Sequence, residues 1–125
     1  MKAFTAAPTT RLTKQEAIDK FNSILSKLLD VPVFFSSINK RSGNYWSNIK
    51  LQNIPGKWVL ILNNQHTRTL RLFIIETVNL KNKLNTRHDM LNVADIRIYG
   101  NDEVHFKDSL SGVNFDPYLV KTINY

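Results

Sequence analysis

The spacing of apolar residues changes after Pro32, and the change divides the chain into two kinds of element. Before it, Ala17, Ile18, Phe21, Ile24, Leu25, Leu28 and Leu29 recur at steps of three and four, with Lys14, Asp19, Lys20, Asn22 and Lys27 off the stripe. That spacing predicts one amphipathic helix over residues 13–30. Thr13 and Glu16 stand three apart, as a capping box requires, and Leu12 and Ala17 can close a hydrophobic staple around it. Pro32 disfavours helical backbone at Val31, so the helix should stop near Asp30.

After Pro32 the period becomes two. "VFFSSI" reads as a first strand and "YWSNIKL" as a second, with Tyr45, Ser47, Ile49 and Leu51 on one face and Trp46, Asn48 and Lys50 on the other. The second of these faces is polar apart from one aromatic ring. "NIPG" supplies a turn, with Pro55 and Gly56 suited to its central positions. "KWVLILN" and "TLRLFIIE", joined by "NQHTR", are apolar on both faces and so predict central strands. Residues 77–92 fit a helical face only loosely, and their asparagines weaken it, so a short helix or irregular connection is expected. "VADIRIYG" alternates cleanly, and Val93 to Phe106 reads as a hairpin. Phe115, Tyr118, Leu119, Val120 and Ile123 predict a tail that packs.

Element order therefore predicts an α+β fold: an N-terminal amphipathic helix, then about six mainly antiparallel strands in a twisted sheet or open barrel. At 125 residues the chain is about one domain. Residues 1–12 would be a flexible arm, 13–30 the helix, 33–106 a β-rich core and 115–125 the packed tail. No apolar run approaches the roughly 20 residues of a bilayer span, and the N-terminus has no apolar stretch of signal-peptide length. A cytoplasmic location and no membrane partner are the expectation.

Composition removes several chemistries. There is no cysteine, hence no disulfide, thiolate metal site or thiol nucleophile. His66, His88 and His105 are too far apart in sequence for a zinc motif. No acid has a lysine two residues on, as one metal-dependent nuclease motif needs; the nearest approach is Asp95 with Arg97, whose guanidinium stays protonated. Phosphate-binding loops, dinucleotide fingerprints and nucleophile elbows are lacking. Neither a catalytic residue nor a metal ligand nor a cofactor is called for, and enzyme function has no specific signal.

Charge points elsewhere. The net charge is +7, and between residues 31 and 75 the chain carries Lys40, Arg41, Lys50, Lys57, Arg68 and Arg71 without one acid. A positive surface of that kind attracts polyanions. "NKRSGNYWSNIK", residues 39–50, adds the residue types that nucleic-acid recognition uses. Lys40, Arg41 and Lys50 suit phosphates, as do Lys57, Arg68 and Arg71 further on; Ser42 can donate to phosphate oxygens. Asn44, Asn48, Asn64 and Gln65 can read base edges, and Tyr45 or Trp46 can stack on an unpaired base. The same composition also makes an ordinary hairpin loop, and everything turns on whether the charges gather on one rim.

The first expectation is a domain that binds nucleic acid, double-stranded DNA above all, as in the recognition module of a restriction or repair system. The second is a module, of the phage or plasmid type of inhibitor or assembly protein, that docks on an acidic protein surface. The third is a minimal metal-dependent nuclease, with Glu76, Asp95 and Glu103 as scattered ligands and Lys107 or Lys81 beside them.

Overall fold

The structure, a computed structural model, describes residues 12–28, 30–39, 41–50, 56–76, 84–87, 93–100 and 105–125. Within them the strands are β1 (Val33–Ser37), β2 (Asn44–Lys50), β3 (Lys57–Asn64), β4 (Thr69–Glu76), β5 (Asn85–Arg87), β6 (Val93–Tyr99) and β7 (Leu119–Asn124). They form two sheets, ordered β1-β3-β4-β7 and β2-β6-β5, and neither closes into a barrel. The expected single sheet or open barrel is thus replaced by two sheets. Pairing is antiparallel except for β1, which runs parallel to β3 with Val33 opposite Val59.

Burial explains the split. β3 and β4 are apolar on both faces and occupy the centre of the first sheet, with Leu60 opposite Phe73 and Ile61 opposite Leu72. Trp58, Leu60, Leu62, Phe73 and Ile75 point to one side, where they meet Tyr45, Ile49, Ala94, Ile96 and Ile98 of the second sheet. Such side chains contribute about 1.5–3 kcal/mol each when fully buried. Val59, Ile61, Leu70 and Leu72 point to the other side and meet Ala17 and Phe21. One two-faced sheet therefore takes a partner on each side.

The helical region is short and interrupted. α1 spans Lys14–Lys20 and α2 spans Asn22–Leu25, in place of one helix over 13–30. Phe21, with φ −106° and ψ 17°, leaves helical geometry between them. It is buried, whereas Asn22 and Ser23, which follow, compete with helix for backbone hydrogen bonds. At the start, Thr13 Oγ1 accepts from the Glu16 amide (3.1 Å) while the Thr13 amide donates to Glu16 Oε1 (2.8 Å). No helix among the described residues is long and apolar enough to cross a membrane.

Three other expectations change. The connection between β1 and β2 is not a hairpin loop: it carries the chain from one sheet to the other, and Ser36 Oγ donates to the Trp46 carbonyl across the junction (2.7 Å). Within 77–92, residues 85–87 form a strand, and most of the remainder lies outside the described residues, as do 1–11 and Glu103. Residues 101–104, most of the second arm of the expected Val93–Phe106 hairpin, lie outside the described residues, and an isolated bridge joins Ile98 to Asp108. Asp108 is fully buried, which its bonds to Arg97, Leu110 and Ser111 make tolerable. The tail does form structure, as β7 on the outer side of β4, although most of its side chains stay exposed.

Candidate nucleic-acid interface

Strand parity decides which side chains of the second sheet reach its surface. Tyr45 and Ile49 of β2 and Ala94, Ile96 and Ile98 of β6 turn into the core, so the alternate positions turn outward. Register sets these in facing pairs: Asn44 with Tyr99, Trp46 with Arg97, and Asn48 with Asp95. Trp46 is 51% exposed and Tyr99 56%. These are unusual values for rings that water would otherwise drive inward.

The middle pair is stacked. The Arg97 guanidinium carbon lies 3.7 Å from the centroid of the Trp46 ring, well inside cation–π range. Arg97 Nε is buried and has no hydrogen-bond partner among the described residues. The indole face thus supports this cation. In the next pair, the Asn48 amide oriented to satisfy both groups donates to Asp95 Oδ1 (2.7 Å) and to the Ser47 carbonyl (3.2 Å). Leu110 stands beside them on a turn that Asp108 fastens to β6, its Oδ1 accepting from the Arg97 amide (2.8 Å) and the Leu110 amide (3.2 Å). Trp46, Asn48, Asp95, Arg97 and Leu110 enclose a groove of about 210 Å³.

At the Tyr99 end the face runs into a rim. The Gly100 amide donates to the Gly43 carbonyl (2.8 Å), joining the end of β6 to the β1–β2 crossover. Asn39 Oδ1 accepts from the amides of Arg41 (2.9 Å) and Ser42 (3.1 Å), and Gly43 turns the chain with φ 72°. This leaves Arg41 and Ser42 exposed at the tip. Gln65 Nε2 donates to the Ile38 carbonyl (3.0 Å), which brings the β3–β4 turn, and Arg68 with it, to the same end. Arg68 has φ 55°; its Nε donates to the Tyr125 carbonyl (2.9 Å), and both it and Lys20 sit over the Tyr125 ring. Burial raises the Tyr125 hydroxyl above its ordinary pKa, outweighing the Arg68 charge and the bond to Asn63 that pull it down.

The residues singled out from sequence thus separate. Arg41, Ser42 and Arg68 share one end, and Asn48 lies on the adjoining open face. Tyr45 is 1% exposed and has no ring face left for a base. Asn44, Asn64 and Gln65 are buried; Asn64 Oδ1 accepts from the His66 and Thr67 amides and Gln65 Nε2 donates to the Ile38 carbonyl, so these two hold turns rather than face solvent. Lys57 lies at the opposite end of β3, 3.6 Å from Glu76. Arg71 rests over the Phe106 ring, 5.1 Å from its centroid. Lys40 and the Lys50 side chain lie outside what the structure describes. Glu76 and Asp95 belong to different sheets, and no three potential ligands gather for a metal among the described residues.

Trp46 was named only as an alternative to Tyr45 for stacking, and Arg97, Tyr99 and Leu110 were not among the predicted site residues. The alternation of "YWSNIK" and of "VADIRIYG" carries the signal for the first three, once the inward phase of each strand is known. Comparison of the chain with protein-family models, with curated proteins and with solved structures finds no match.

Proposed function

We propose that this domain binds nucleic acid, with an unpaired strand lying along the outer face of β2 and β6 and its phosphates near the rim of Arg41, Ser42 and Arg68. The carrying observation is the exposed Trp46 ring, stacked on Arg97 and set beside a rim that carries Arg41 and Arg68. Ring stacking needs a base whose face is free, which duplex DNA does not offer without disruption. The reading therefore moves from the duplex expected on charge alone towards single strands. Asn48 is kept from the sequence-derived base-reading set.

Arg and Trp also dominate protein–protein interfaces, so the same face suits an acidic protein partner. A salt series separates the two. Fluorescence titration with single-stranded and duplex oligonucleotides should show binding that weakens steeply with salt and favours the single strand. Arg41→Glu with Arg68→Glu should weaken binding to all sequences alike and flatten the salt slope. Flat, negligible binding to both forms, with a nuclease-resistant complex with a protein, would replace this reading by the second.

A further inference from the structure

Two exposed rings stand on the outer face of the second sheet, and strand register fixes their spacing. Trp46 of β2 faces Arg97 of β6, and Tyr99 stands two residues further along β6, opposite Asn44. The rings are thus diagonal neighbours on one side of an antiparallel pair, which sets them roughly 7–8 Å apart at their backbone positions. Each is more than half exposed, and among the described residues neither packs against another ring.

That spacing decides what the pair can hold. Successive bases of a helically stacked strand lie about 3.4 Å apart along its axis, roughly half the distance between the rings. A stacked strand can lay one base on one ring, but its next base falls between the two. An extended strand, whose neighbouring bases have parted, reaches both. Runs of pyrimidines part more readily than runs of adenine, because their smaller rings overlap less.

Charge along the same face orients the strand. Past Tyr99 the face meets the rim of Arg41 and Arg68, joined to it through Gly100 with Gly43 and through Gln65 with Ile38. Past Trp46 in the other direction stands Asp95, paired with Asn48. A carboxylate there repels phosphates, and the rim attracts them.

We infer that this face holds two consecutive, unstacked bases of a single strand, as pyrimidine runs present them, one on Trp46 and the next on Tyr99, with the backbone leaving towards Arg41 and Arg68. The inference rests on the nucleic-acid reading above and names what that reading leaves open, the number of bases held and the conformation of the strand. Tyr99 is then a binding residue beside Trp46, and Arg97 supports the first of the two platforms.

The chain has two tryptophans, of which Trp58 is fully buried, so a fluorescence change on binding reports chiefly on Trp46. The full chain should be titrated with strands of one length, abasic throughout except for one thymine, two adjacent thymines, or two thymines with several abasic positions between them. Phosphate charge is the same in all three. The adjacent pair should bind on the order of tenfold more tightly than the single thymine, as a second stacked base contributes, and the separated pair should stay close to the single thymine. With adenine in place of thymine, the gain from one base to two adjacent bases should be smaller, since the pair must first unstack. Tyr99→Leu, at an exposed position, should remove the gain from adjacency and leave the salt slope and the melting temperature as they were.

Adjacent thymines no better than separated ones would overturn the two-base site, and so would an adenine gain as large as that of thymine or an adjacency gain that survives Tyr99→Leu. Steep salt dependence in those cases would leave the nucleic-acid reading standing. No binding to any strand at low salt, an all-thymine strand included, would remove both readings together.

Discussion

Val59, Ile61, Leu70 and Leu72 stand on the outer face of the first sheet; Trp46, Asn48, Arg97 and Tyr99 stand on the outer face of the second. The backbones are alike, and both inner faces feed one shared core. The outer faces differ in composition, and so in fate. Aliphatic positions on the first gain a cover of Ala17 and Phe21 from the helical region. On the second, polar groups and rings with polar partners stay at the surface among the described residues. A sheet face is covered when its outward residues cannot satisfy themselves in water, and it remains available when they can.

That contrast can be broken most sharply by truncating one outward side chain from each sheet. Leu72→Ala should cost about 2–5 kcal/mol, because it leaves a cavity under the helices. Trp46→Ala should cost less than about 1 kcal/mol, chiefly the lost stack with Arg97, yet remove most of the stacking contribution to strand binding. Urea denaturation of the two variants measures the difference. Equal losses would mean that the second face is not open as described.

The next effect lies where the open face meets the rim. A Cβ at position 100 would collide with Ile38 Cδ1 and lie 2.5 Å from the Gly43 carbonyl, a backbone atom that cannot step aside. Gly100→Ala should destabilise by about 1–3 kcal/mol, and should weaken strand binding through displaced Arg41. A melting temperature unchanged from the parent would show that the junction yields more easily than its packing implies.

The smallest effect concerns the segment behind the groove wall. Burial raises the Asp116 carboxyl, but bonds from the Phe106 amide (2.6 Å), His105 (3.0 Å) and Asn114 outweigh it and hold the group below its ordinary value of 3.8. A depressed folded value means that the contribution is present above 3.8 and is lost as pH falls through the lower folded value. Asp116→Asn should therefore cost about 1 kcal/mol near pH 6, and the gap from the parent should close towards pH 2. Denaturation midpoints across that range test it; a gap that grows in acid would reverse the sign.

Much of this architecture is legible in the residue pattern, and the failures have physical causes. β3 and β4 declare themselves central through two apolar faces, and β6 declares its phase by alternation. Local pattern could not place β1 beside β3 or send β2 to another sheet, because those are choices among partners distant in sequence. Asn64 and Gln65 looked available for bases because turn residues are polar whether they face solvent or the backbone. Trp46 was overshadowed by Tyr45, since either ring could have faced inward until Ile49 and Ile96 set the phase.

The crossing of the chain between sheets has a consequence for the order of assembly. β3 and β4 meet through a four-residue turn and can pair as soon as both exist. β2 ends at Lys50, and its one strand partner among the described residues, β6, begins at Val93; β7, at the edge of the first sheet, comes last. Loop closure must precede each of these pairings, which places folding on the order of milliseconds to seconds. During synthesis, β2 emerges early and waits with both edges unpaired. Its outward Trp46 and Asn48 then meet water on a face that is polar apart from one ring, before the same face has any ligand to meet.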